Sequence, residues 1–332
     1  MRIIGAALLL ASTLIPAVAS ANAVPVIYAF GDSLSDAGNA YIGDGGTDPQ
    51  VPPYASVNGF GVFSNGPVWV QDLSQALGLG TLRPSLAGGT DFAVGGASAG
   101  AFGSYTGSPG DLLPSAGNPL ADSQIGMFDA AVPTPNPNAL YTLSIGSNDL
   151  DYIFAHDAGN PVQAATDAQS VLTNIAAFVG ELAADGAHNL VVLNVPDLGK
   201  TPDGMAGGPA EAAAISSFVA GFDVAFGNTL EAEADLYGLD LHIIDSYALV
   251  DEAVTDPTAF GLTNVTDPCV VGVSVCATPD TYLFWDGHHP TETGQQLLAR
   301  TALQAIPEPG AAELLTGAVL LLGMLRRRRG TA

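Results

Sequence analysis

The run ALYTLSI at 139–145, the segment that follows it, and the run NLVVLNV at 189–195 decide the fold. Both runs are almost continuously apolar, as expected of strands buried on both faces. Between them Val171, Ile175, Phe178, Val179 and Leu182 recur at spacings of three and four, which is one face of a helix. A second stripe (Ile215, Phe218, Val219, Phe222, Phe226, Leu230) leads into a further β-rich run at Leu239–Ile244. Strand, helix, strand, repeated in this way, predicts a parallel sheet with helices on both faces. Upstream, Val24–Phe30 and Asp91–Val94 bring the expected strands to five. The expectation is a three-layer α/β/α domain around a central five-stranded parallel sheet. Pro67 to Leu77 and Thr291 to Ala305 read as additional helices. Two irregular stretches, 40–66 and 97–138, are rich in Gly, Pro, Ser and Asn, and loops of that length are usually functional or mobile. No repeat or linker divides the body.

Composition removes several classes. The chain has 332 residues, 48% of them apolar, so disorder throughout is excluded. With 33 acidic against 8 basic residues, the net charge is −25, and nucleic acid is an unsuitable partner. Both ends read as sorting signals. Met1-Arg2, an apolar run from Ile3 to about Ile15 and Ala21-Asn22-Ala23 describe a signal peptide over 1–23. At the other end come Pro307-Glu308-Pro309, an apolar stretch from Leu314 to Leu325, and Arg326 to Arg329. Four arginines would stay in the cytoplasm and leave the body outside. This three-part tail, 307–332, resembles the bacterial PEP-CTERM sorting signal. That resemblance implies transient membrane anchoring and a membrane sorting protease as partner. Without the two ends only Arg83, Lys200 and Arg300 remain as bases in the 24–306 body.

In parallel α/β sheets the ligand crevice lies beyond the carboxyl ends of the strands, so the residues after each run carry the functional information. After the first comes Gly31-Asp32-Ser33-Leu34-Ser35-Asp36. A serine there is placed as a nucleophile, but needs a base and an anion-stabilising pocket. Taken alone, the same residues read as a capped turn. After the second run Gly95-Gly96-Ala97 offers bare backbone N–H groups, or simply a tight turn. After the third, Gly146-Ser147-Asn148-Asp149 offers an amide, or a helix cap. Near the end stands Trp285-Asp286-Gly287-His288-His289-Pro290-Thr291. A carboxylate three residues before His289 can fold back within one turn and fix the ring's tautomer. Asp286 is only two residues from His288, the wrong spacing for that bond. His156, His188 and His242 lack such a carboxylate and take structural readings.

The blocks GDSLSDAGN, DFAVGGA, IGSND and DGHHPT, in this order, resemble the GDSL (SGNH) esterases and lipases, and within them the bacterial extracellular lipase/lecithinase branch. The resemblance spans about residues 25–305 and implies the flavodoxin-like SGNH hydrolase fold. It implies Ser33 as nucleophile, His289 as general base and Asp286 as its orienter. It also implies an oxyanion hole of the Ser33 N–H, Gly96 (in preference to Gly95) and Asn148. No cofactor or metal is implied, and the substrate is an ester or lipid. FSNG at 63–66, with Trp69, resembles a further block of the branch, with no role assigned. Cys269 and Cys276 are the only cysteines, and in an exported protein their spacing favours a local disulfide over a metal site. The expected function is exported ester hydrolysis, in the envelope or outside the cell. A non-catalytic envelope or matrix protein that keeps the fold is the alternative, because fold and tail do not establish chemistry.

Overall fold

Ile27–Gly31, the GDSL block's own strand, is buried along its whole length and starts the sheet as β1. In the computed structural model, which describes residues 24–100, 110–114 and 120–306, three more parallel strands follow it. They are β2 (Leu140–Ser144), β3 (Asn189–Leu193) and β4 (Asp240–Ile244), paired in the order β1-β2-β3-β4. Ile27 is opposite Leu140, Leu140 opposite Asn189, and Asn189 opposite Asp240, so all four strands end at one level. The signal segment expected at 1–23 and the tail expected at 307–332 lie outside the described residues.

The sheet thus has four strands rather than the expected five. Asp91–Val94 does lie along the outer side of β1. Phe92 N–H donates to Ala29 O at 2.7 Å and Val94 N–H to Gly31 O at 3.1 Å, but only an isolated bridge results. The cause is local. Asp91 turns its carboxylate back onto Ala93 N–H and also accepts Ala37 N–H. On the side facing β1, the Gly31 N–H that would extend the ladder to Phe92 O is taken by Gln124 Oε1, and on the other side the Asn39 amide caps the carbonyls of Asp91 and Ala93. The run still fixes the topology. The chain passes from β1 to its outer side and then crosses back to β2, which makes a switch point between β1 and β2, where ligands bind in open α/β sheets.

Alternating side chains send the strands into two cores. Tyr28, Phe30, Tyr141, Leu143, Leu190 and Val192 face one side. There they meet α2 (Gln124–Ala131), α3 (Ser147–His156), α4 (Pro161–Ala184) and α5 (Pro209–Tyr237). Val171, Ile175, Phe178 and Val179 are all buried there, as the helical spacing predicts. Removing a ring such as Phe178 should cost about 3–5 kcal/mol. On the other face Ile27, Ala29, Leu140, Val191 and Leu193 pack on α1 (Trp69–Ala76) and α7 (Glu292–Ala305). Between β4 and α7 lie α6 (Ser246–Thr255) and a loop closed by the Cys269–Cys276 disulfide. One carboxyl in the first core is incompletely matched: Asp223 on α5 accepts Val195 N–H at 3.0 Å, but its Oδ2 has no partner.

Candidate active site

β1 stops at Gly31 because no other residue fits. Its φ is 134°, and a Cβ there would sit 2.0 Å from the Ser144 carbonyl oxygen of β2. Gln124 clamps the same peptide: its amide donates to Gly31 O at 2.6 Å, and its carbonyl oxygen accepts Gly31 N–H at 2.8 Å. The chain then turns on Asp32, whose Oδ1 accepts Leu34 N–H and whose carbonyl accepts Ser35 N–H and Asp36 N–H. Asp36 anchors the far end of the turn, accepting N–H groups from Gly38, Asn39, Ala40 and Gly95. Ser33 is thereby presented to the cleft. Ser35 is fully buried, with its Oγ accepting from the Trp69 indole at 3.0 Å. Only Ser33 of the two serines meets a histidine.

His289 Nε2 lies 2.8 Å from Ser33 Oγ, and its Nδ1 lies 2.6 Å from Asp286 Oδ2. The other carboxylate oxygen, Oδ1, accepts the backbone N–H groups of His289 at 2.7 Å and His288 at 3.0 Å. The loop thus closes on the carboxylate in one turn, and the 286-to-289 spacing is what allows it. Burial would raise Asp286, but the charge and hydrogen bond of His289, with help from His288 and Tyr54, hold its carboxyl far below the usual range. Burial holds the His289 imidazole below its ordinary value despite Asp286, so the neutral ring, the form able to take a proton, is favoured. His288 is exposed and turns to Asp203, with Nδ1 3.2 Å from Oδ2. Asp32 behaves oppositely to Asp286. Its Oδ2 is buried without a partner, and burial pushes its carboxyl up to about 7.

The backbone separates Gly95 from Gly96. Gly95 N–H donates to Asp36 Oδ2 at 2.8 Å and is spent. The N–H groups of Gly96 and Ser33 make no hydrogen bond among the described residues. Asn148, at the start of α3, gives one amide hydrogen to Ala97 O at 2.9 Å, which fixes the amide plane and leaves its second hydrogen free. Ser33, Gly96 and Asn148 line one cleft, so their three N–H groups are available there to a developing negative charge.

Four residues that sequence reasoning gave no role complete the base side. Tyr54 donates its hydroxyl to Asp286 Oδ2 at 2.6 Å. Phe63 packs its ring on the His289 imidazole, with centroids 5.2 Å apart. Ser64 Oγ donates to Pro290 O, and Asn65 Oδ1 accepts Glu292 N–H, so the 63–66 block straps down the start of α7. The block was visible in the sequence, but its partner lies more than 220 residues away, and no local pattern records that. Asp286, His288 and His289 also bring potential ligand atoms within 4.8 Å of one another. Those of Asp286 and His289 are already engaged with Tyr54 and Ser33, an arrangement built for proton movement.

Comparison with known proteins agrees with this geometry. Residues 27–302 match the family model described as GDSL-like Lipase/Acylhydrolase. The chain is 30% identical over 299 residues to a phosphatidylcholine-sterol acyltransferase of Aeromonas hydrophila, covering 86% of this chain and 79% of that protein. It is 25% identical over 186 residues to a GDSL esterase/lipase of Arabidopsis thaliana, a match that spans 52% of each. A third relative, 23% identical over 304 residues and covering 85% of this chain and 72% of its own, is an Arabidopsis thaliana protein named as an inactive GDSL esterase/lipase-like protein. With a matching family model across nearly all of the described body and a serine joined to a histidine and a carboxylate at the switch point, the chain belongs to the GDSL-like lipase/acylhydrolase family and is a hydrolase of ester bonds.

Proposed function

We propose that this protein is an exported serine carboxylic-ester hydrolase working through an acyl-enzyme on Ser33. The observation that carries the reading is the unbroken path from Ser33 Oγ to His289 Nε2 (2.8 Å) and from His289 Nδ1 to Asp286 (2.6 Å). His289 takes the Ser33 proton as Oγ bonds to the ester carbonyl carbon. The resulting oxyanion accepts from Ser33 N–H, Gly96 N–H and Asn148. Collapse breaks the bond to the alcohol oxygen, which leaves with the proton held by His289. Water then attacks the acyl-enzyme, gives a proton to His289, and releases the acid while Ser33 recovers its hydrogen. Asp286 stays ionised throughout and steadies the imidazolium.

The same proposal includes cleavage of a signal peptide over 1–23 and sorting by the 307–332 tail, supported by the order of their charged and apolar parts. A disulfide between Cys269 and Cys276 suits an oxidising compartment. The second reading, a non-catalytic envelope or matrix protein, draws support from the sorting tail and from the relative named as inactive. One experiment decides between them. The 24–306 body should turn over p-nitrophenyl esters, and a phosphonate probe should label Ser33. Ser33→Ala should abolish both while leaving the circular dichroism spectrum unchanged. Labelling of another serine, or no turnover by the wild type, would reject the hydrolase reading.

A further inference from the structure

The cleft at Ser33 has two unlike arms. One runs from Ser33, Asn148 and His289 between α6, α7 and the end of β3, and is narrow, with a cavity of about 60 Å³. Its walls are apolar: Leu249, Val250 and Ala253 from α6, Leu283 and Phe284 from the loop before His289, and Leu298 from α7. Ala253, Leu283, Phe284 and Leu298 are buried in the fold, so the walls are rigid. The other arm is wider, about 450 Å³, and meets the first along Ser33, Asn148, Asp151, Thr201, His288 and His289. Beyond that junction it alone carries Asp48 and Asp203.

We propose that the apolar arm takes the acyl chain of the ester and the carboxylate-bearing arm its alcohol. The enzyme is thereby selective for acyl chains several carbons long rather than for acetyl. This rests on the reading of Ser33 as the nucleophile. Both arms meet at the only atoms that attack and protonate the ester, so the two halves of a bound ester must divide between them. An alkyl chain gains by leaving water, and beyond the junction the first arm offers it the side chains of Leu249, Val250, Ala253, Leu283, Phe284 and Leu298. Carboxylates in the second arm suit the hydroxyls or positive charge of an alcohol and oppose a negative one. Each methylene that enters the apolar arm is worth up to about a fourfold gain in kcat/KM.

The test is a series of p-nitrophenyl esters from acetate to dodecanoate with the 24–306 body. The kcat/KM should rise at least about tenfold from acetate to hexanoate, as methylene burial predicts, before falling once the arm is full. Val250→Phe and, separately, Ala253→Leu narrow the arm from two positions. Each should lower the hexanoate-to-acetate ratio, and the half-buried Val250 site guards against misfolding at Ala253. A second series compares hexanoylcholine, its uncharged 3,3-dimethylbutyl isostere and the hexanoyl ester of glycolate. The glycolate ester should be the poorest, and Asp203→Asn should narrow its deficit. A flat chain-length profile, or ratios unmoved by both narrowing variants, overturns the inference while leaving the hydrolase reading intact. Preference for the glycolate ester overturns the assignment of the alcohol arm. No turnover of any ester overturns the hydrolase reading and this inference together.

Discussion

His289 meets Ser33 on a loop held by side chains from distant parts of the chain, whereas Gly96 and Asn148 line the same cleft from a turn and from the first turn of a helix. On the base side, Asp286 accepts two backbone N–H groups, the imidazole and the Tyr54 hydroxyl, while Phe63 backs the ring. On the proposed oxyanion side, two of the three donors are main-chain N–H groups, and Asn148 is the only side chain. The difference teaches where substitution can act. The base side can be weakened in steps through its supporting side chains. The oxyanion side can be reached at one residue, because the other donors come with any amino acid that the turn admits.

The largest effect belongs to the base itself. His289→Ala should lower kcat by roughly 10⁴-fold or more, the scale seen when a triad base is removed. His288→Ala, which takes away an exposed ring turned to Asp203, should change kcat less than about tenfold, since it leaves the orienting pair whole. Equal, large losses in both, measured by ester turnover, would erase the contrast between the two histidines. Next comes Asn148→Ala, expected to cost about 10²–10³ in kcat with KM little changed, the usual worth of one oxyanion donor. A loss confined to KM would place Asn148 in ground-state binding instead.

Tyr54→Phe probes the support beneath the base and should have a smaller effect, about tenfold in kcat/KM, because one hydrogen bond to an ionised group is lost. It also has a sign. Tyr54 draws on the same oxygen that faces His289 Nδ1. Without it, Asp286 becomes a stronger partner for the imidazolium, and the His289 proton is held to higher pH. In the wild type, activity should rise with pH through a midpoint below the ordinary histidine value, because burial holds His289 down. In the variant that acid limb should move upward. A pH profile that only scales in height would assign Tyr54 a packing role.

The architecture was legible in the sequence because its cause is local. Apolar runs at 139–145 and 189–195 and helical stripes such as Val171 to Leu182 record burial residue by residue. The Asp91–Val94 run misled as a full strand because its composition is β-like, while its pairing with β1 ends where Gln124, 93 residues along the chain, takes the Gly31 N–H. Ser33, Asp286 and His289 were legible because turns at strand ends and the Asp-x-x-His spacing are short-range. Sequence alone could not choose between the two glycines on physical grounds. The Gly95 N–H is taken by Asp36, across 59 residues of chain. Tyr54 was not legible at all, since it sits in an irregular stretch and meets Asp286 only after folding.

Two of the half-satisfied carboxyls, Asp32 and Asp223, give the fold a proton linkage opposed to its chemistry. Burial pushes them up to about 7 and about 8, whereas in an unfolded chain each would titrate near about 4. The folded state therefore binds these protons more tightly than the unfolded state. Their contribution to stability is complete below the unfolded value and is lost as pH rises through the folded ones. Catalysis runs the other way, gaining as His289 is deprotonated. Melting temperature should consequently fall between pH 5 and pH 9 while turnover climbs. Asp223→Asn, which keeps the oxygen that accepts Val195 N–H and removes the ionisation, should flatten part of that fall; an unchanged slope would show that the titration lies elsewhere. Seen this way, the molecule holds together best in the acid range where its base is idle, and it works best where it has given some of that cohesion up.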